Sequence, residues 1–148
     1  MTTGGAPALT LQFPPSARGA RRARRLAVLW LAEQGCPPES DGSCAVALVI
    51  GELTANAVQH GRVPGHSCGL TLALDPATGV LRVEVADAAA EKRLPAAVPT
   101  SHPEGESGRG LLLVDALALR WGSVRRHPVG KTVWAELDLD LALDSASG

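Results

Sequence analysis

Tyrosine is absent from these 148 residues, and the other aromatics number only four: Phe13, Trp30, Trp121 and Trp134. Rings so few and so scattered offer no platform on which nucleic-acid bases could stack. An excess of charge of either sign is lacking as well. The 14 basic and 15 acidic side chains leave a formal charge of -1, which argues against a general binder of nucleic acid or of anionic membranes. Cys36, Cys44 and Cys68 form an odd set without Cys-x-x-Cys spacing, and the four histidines are dispersed. A zinc site is therefore not expected, and the thiols read as reduced and buried. The N-terminus shows no continuous apolar leader, and no stretch is expected to be long enough to cross a bilayer, so the expected location is cytoplasmic.

What is present suits one folded unit. A 45% hydrophobic and 20% charged composition fits a single compact domain with a real core. Residues 1–8 and 142–148 are expected to be flexible ends around a domain spanning 9–141. Leu9 to Phe13 reads as a first strand, ended by Pro14-Pro15. Ser16 then caps a helix running to about Gln34, with Ala23, Leu26, Ala27 and Trp30 on its apolar side and Gly35 as the stop. Arg18, Arg21, Arg22, Arg24 and Arg25 crowd its early turns, as a protein-docking surface or as a solvated helix face.

A second helix, about Ser40 to Gln59, follows Pro37-Pro38. The period then changes from helix to strand. Leu70, Leu72 and Leu74 alternate with smaller or polar residues, as do Leu81, Val83 and Val85, and Asp75-Pro76-Ala77-Thr78-Gly79 turns between them, which predicts a hairpin. Residues 87–107 break the pattern with small residues, charges and three prolines, as a functional lid or an insertion would. Gly108-Arg109-Gly110 opens a helix to about Leu117, and strands near Leu119 to Arg125 and Thr132 to Leu139 close the domain. This order predicts an α+β two-layer sandwich, a mixed, mostly antiparallel sheet with helices over one face.

The chemistry-bearing pattern lies in the second helix. Glu52, Asn56 and His60 recur at intervals of four, immediately before Gly61. On a helix they form one stripe that drifts by about 40° per step. The stripe runs beside an apolar face of Val46, Val49, Ile50, Leu53 and Ala57, where polar heads are costly unless something binds them. A carboxylate and a carboxamide facing one pocket can hold a hard cation and activate a hydroxyl or water. Asn56 could instead tie down a loop, and Glu52 could pair with an arginine. Gly130-Lys131-Thr132 is no phosphate loop of the strand-to-helix kind: Arg125 stands where the first glycine belongs, and a strand follows.

In order and spacing these motifs resemble the GHKL superfamily of ATP-binding domains, and among them the small anti-sigma-factor type of serine/threonine kinase. The run Glu52-Leu53-Thr54-Ala55-Asn56-Ala57-Val58-Gln59-His60-Gly61 resembles the N box. Asp87 resembles the first glycine-box aspartate, Gly108-Arg109-Gly110-Leu111-Leu112-Leu113-Val114 the second glycine box, and Gly130-Lys131-Thr132-Val133-Trp134 the closing Gly-x-Thr-x-aromatic segment. The resemblance implies ATP and Mg2+ as cofactors, with Asn56 on the magnesium and Glu52 as general base. It implies that Asp87 accepts a hydrogen bond from the adenine amino group and that Thr132 supports the adenine side. Gly108, Arg109, Gly110 and Leu111 would bring helix-start N–H groups to phosphate, and His60 would approach a phosphate or the lid. Helix, strand and cap roles are the ordinary alternatives at His60, Thr132, Asp87 and the two glycines.

Ala88-Ala89-Ala90 stands where many members of that family carry glycines, and alanine resists positive φ. The implied function is a Mg-ATP-dependent kinase of an anti-sigma-factor antagonist that also holds a sigma factor, as a possible homodimer without direct nucleic-acid or membrane contact. The alternatives are a noncatalytic ATP-dependent switch and a scaffold that has lost ATP.

Overall fold

The computed structural model describes residues 6–60, 65–87, 108–125 and 130–139, with 108–110 by backbone alone. Strand β1, Ala8–Phe13, stops where Pro14-Pro15 cannot continue a ladder. Ser16 then takes extended backbone angles, and its hydroxyl accepts the Gly19 N–H at 3.0 Å, capping α1, Ala17–Glu33. The helix ends as the sequence predicts. Gly35 at φ 95° donates to Ala32 O at 3.1 Å, and Cys36 donates to Leu31 O at 2.9 Å, a left-handed glycine stop with Leu31 and Cys36 both buried beneath it. Its buried side is Ala20, Ala23, Ala27 and Leu31, whereas Leu26 and Trp30, expected inside, are only half-buried. The stripe follows the drift of the helix toward Leu31.

Gly19 is set against the chain that precedes it. A Cβ there would lie 2.4 Å from Pro14 O and 2.9 Å from Pro14 Cδ. Glycine to alanine usually stabilises a helix by about 1 kcal/mol. Here the sign reverses: Gly19→Ala is expected to lower stability by about 1–3 kcal/mol, because backbone must move to admit the methyl. Urea unfolding of the two proteins measures it.

Ser40 accepts the Ser43 N–H at 3.2 Å and starts α2, Asp41–His60. Val46, Val49, Ile50, Leu53 and Ala57 are all buried, as their spacing predicts. Contrary to the expectation from sequence, α2 has the length and composition of a membrane span, with a mean hydropathy of 1.2 over its most apolar window. Its apolar character is accounted for by the protein core into which those five side chains pack. Cys36 and Cys68 are buried as expected, but Cys44 is exposed, its Sγ 3.7 Å from Pro38 O.

Strands β2, Cys68–Asp75, and β3, Val80–Ala86, form the predicted hairpin, where Asp75 Oδ1 accepts the Ala77 N–H at 3.0 Å. After α3, Gly108–Leu117, come β4, Arg120–Arg125, and β5, Lys131–Asp138. The sheet order is β1-β2-β3-β5-β4, and all four pairings are antiparallel. Leu70, Leu72, Leu81, Val83, Val85, Ala135 and Leu137 meet the helices on one face. Helix α1 packs on edge strand β1, α2 on β3 and β5, and α3 against the opposite edge strand β4. Thus α1 and α3 flank α2. The fold is the α+β sandwich that the element order predicts.

On the other face Glu136 accepts from Arg120 at 2.6 Å and from Arg82 at 2.9 Å, while Arg82 also donates to Glu84 at 2.7 Å and lies 4.3 Å from the centre of the Trp134 ring. The Arg120 and then the Arg82 hydrogen bond hold the Glu136 carboxyl below the usual carboxylate range. A group depressed in the folded state stabilises above its unfolded pKa and loses that contribution as pH falls through the folded value. Glu136→Gln is therefore expected to cost about 1 kcal/mol or less at neutral pH, solvent screening being strong here. The gap in Tm should close as pH drops into the carboxylate range, and thermal scans across pH read it.

Candidate functional site

Helix α2 delivers the polar stripe, with Glu52 and Asn56 half-buried and His60 exposed at the last helical residue. A histidine is a common residue in the last turn of a helix, the ordinary alternative to the phosphate or lid contact that the resemblance implies. Thr54, next to the stripe in sequence, plays a different part. It is buried at 1% exposure and its hydroxyl donates to Ile50 O at 2.7 Å, so its polarity is satisfied inside the helix.

Strand β3 delivers Asp87 just past its end. Alternation with Val83 and Val85 turns Asp87 toward the helix-covered face, where it is 7% exposed. Its N–H donates to Lys131 O at 3.2 Å, so β5 still fixes the backbone there. Thr132 is placed differently. It pairs with Ala86 on one side and Val124 on the other, and the same alternation puts it on the face away from the helices. Asp87 and Thr132 come from adjacent strands, and alternation puts them on opposite faces of the sheet.

Gly108, Arg109 and Gly110 form the first turn of α3, whose leading N–H groups have no partner within the helix. Helix α3 packs against α2, the helix that carries the polar stripe. Leu111 is half-buried, and its side chain packs against the core, which leaves its backbone N–H for the expected phosphate contact. The Ala88-Ala89-Ala90 run and the rest of the segment to Ser107, expected as a lid or an insertion, lie outside the described residues, as does Gly61.

Among the described residues no group of three or more His, Cys, Asp or Glu side chains could enclose a metal ion. The available donors fit a different kind of site. One carboxamide, Asn56, beside one carboxylate, Glu52, suits a magnesium ion that takes most of its oxygens from phosphates and water. Among the cavities lined wholly by described residues are two open ones of about 510 and 500 Å3. Neither is lined by Glu52, Asn56, His60 or Asp87. The larger lies between α1 and α2, beside the arginine cluster of α1.

Comparison with known protein families gives a class. The family model for the histidine kinase-like ATPase domain matches residues 13–137. The chain belongs to that family, and so to the GHKL superfamily of ATP-binding domains. Among solved structures, the histidine kinase domain from Erythrobacter litoralis EL346 blue-light activated histidine kinase is similar at 22% identity with a TM-score of 0.48. That likeness covers 86% of this chain, which spans 62% of the other. A search of curated proteins gave no match.

Proposed function

We propose that this ATP-binding domain is a Mg-ATP-dependent serine/threonine kinase of an anti-sigma-factor antagonist protein, and that it also sequesters a sigma factor. The observation that carries the reading is the pair of half-buried heads, Glu52 and Asn56, one turn apart on α2 beside α3. Binding a nucleotide needs an anion cradle, a cation ligand and a base selector. The α3 start, Asn56 and Asp87 fit those three roles.

Glu52 is the group that a binding module does not require. As general base it takes the proton from the attacking serine or threonine hydroxyl, while that oxygen bonds to the terminal phosphorus and the bridge to ADP breaks. Magnesium, when bound, neutralises charge on the phosphates. Asn56 holds it, and the α3 N–H groups orient the phosphate oxygens. Half-burial of Glu52 limits competition from water, which keeps transfer ahead of hydrolysis.

The test is direct. Purified protein, labelled ATP and candidate antagonist proteins should give label on a serine or threonine of the antagonist. ATP binding without any transfer selects the alternative, a switch in which occupancy controls a protein interface, and the alanines at 88–90 favour that alternative. A thermal shift that saturating Mg-ATP leaves at zero removes both.

A further inference from the structure

Helix α1 breaks two local rules at the place where it meets α2. Five arginines, Arg18, Arg21, Arg22, Arg24 and Arg25, stand in its first half, and its first turn has no acidic residue. The N-terminal end of a helix carries positive dipole charge, so cations there oppose the macrodipole and one another. All five are exposed, and none forms an ion pair among the described residues. Across from them α2 places Gly51 in a helix interior, at a cost of about 1 kcal/mol relative to alanine. The two departures meet: a Cβ on Gly51 would lie 3.1 Å from an Arg24 guanidinium nitrogen. Gly51 leaves the room in which Arg24 lies across α2.

Between these helices runs the cavity of about 510 Å3, lined by Ala17, Ala20, Arg21 and Arg24 of α1 and by Gly51, Thr54, Ala55, Val58 and Gln59 of α2. Its floor is small and mostly apolar, and no acidic side chain lines it. From Gly51 to Gln59 it follows α2 for about 12 Å, two helical turns. On α2 the groove is the stripe adjacent to Glu52 and Asn56, on the side toward α1.

We propose that this groove is a docking site for an acidic amphipathic helix of a partner protein. Apolar side chains of that helix would fill the floor of alanine, valine and glycine, and its carboxylates would meet Arg21 and Arg24 on the rim. Charge complementarity selects the partner: two guanidiniums without a counter-ion, on a lining without acid, reject a basic segment and reward an acidic one. Groove shape selects its form, since two turns of small residues along α2 match the i, i+3, i+4, i+7 anchors of a helix. The docking does not depend on the nucleotide reading, because none of the groove residues belongs to the ATP site.

The test uses the full chain and a fluorescein-labelled helical peptide of about 18 residues, with glutamate on one face and leucine on the other. A peptide with lysine in place of glutamate and one with serine in place of leucine serve as controls. Anisotropy is read at about 0.15 M salt, where unlocalised charge effects are screened beyond about 8 Å. The acidic amphipathic peptide should bind, and both controls should bind at least about tenfold more weakly. Arg21→Glu/Arg24→Glu should weaken binding at least about tenfold, while Arg18→Glu/Arg22→Glu, the same charge change off the groove, should stay within about threefold.

Ala55→Trp, at an exposed position, should block the groove without changing charge, and it carries the test if the charge-reversed protein fails to fold. Equal weakening by both arginine pairs, binding of the lysine peptide as strong as that of the acidic one, or no binding overturns the proposal. Repeating the titration with Mg-ATP separates the two sites. Peptide binding that survives where nucleotide fails to bind leaves the groove standing and the ATP reading fallen.

Discussion

A Glu52→Gln variant is expected to keep its affinity for Mg-ATP within about threefold and to lose phosphoryl transfer by a factor of about 10² to 10⁴. Glutamine keeps the shape and hydrogen-bonding reach of the side chain but cannot take up the hydroxyl proton. Because Glu52 is half-buried on a helix whose core face lies elsewhere, the exchange leaves Val46, Ile50 and Leu53 untouched. Stability should therefore hold while rate falls. Single-turnover transfer to the antagonist, with nucleotide affinity measured by calorimetry, separates the outcomes. Equal transfer by the variant removes the general-base role, and loss of nucleotide binding makes Glu52 a binding group instead.

The helices and strands were legible because their signals are local. Ser16 and Gly35 bound α1 through a hydroxyl cap and a left-handed stop, both written in residue type. The alternation of Leu70, Leu72, Val83 and Val85 places one face of the sheet, and the hairpin fixes the register. The N-box stripe was legible for the same reason, since helical spacing alone puts Glu52, Asn56 and His60 in line.

What escaped the sequence depends on partners far along the chain. Thr132 pairs with Ala86 of β3, a register that spacing within β5 does not reveal. Cys44 is exposed and Thr54 buried, against their usual tendencies, because rotation of α2 against the sheet decides which side faces inward. The groove is a property of two helices together. Its residues are common small ones, and only the arginine cluster and Gly51 mark it, each as a local cost without a local reason.

Asn56 and Leu53 stand three residues apart on α2, and their alanine variants are expected to fail in opposite ways. Leu53 is fully buried, and truncating a buried leucine costs about 2–5 kcal/mol through lost transfer energy and the cavity left behind. Leu53→Ala should lower the unfolding midpoint sharply. Whatever part of the chain stays folded should still bind Mg-ATP, because the stripe itself is intact. Asn56 is half-buried and polar, on the stripe and off the core. Asn56→Ala should leave the unfolding midpoint nearly unchanged and lower Mg-ATP affinity by about a hundredfold, in the upper range seen when support for a bound metal is removed.

The magnesium dependence adds a second readout. If Asn56 acts through the cation, ATP without Mg2+ should bind the parent and variant proteins with similar weak affinity, and adding Mg2+ should tighten only the parent. A variant that still gains affinity from Mg2+ would move the cation to another ligand. A variant that also unfolds early would make Asn56 a structural residue. The contrast with Leu53 is what gives the assignment force, since a helix merely loosened by substitution would affect both measurements together.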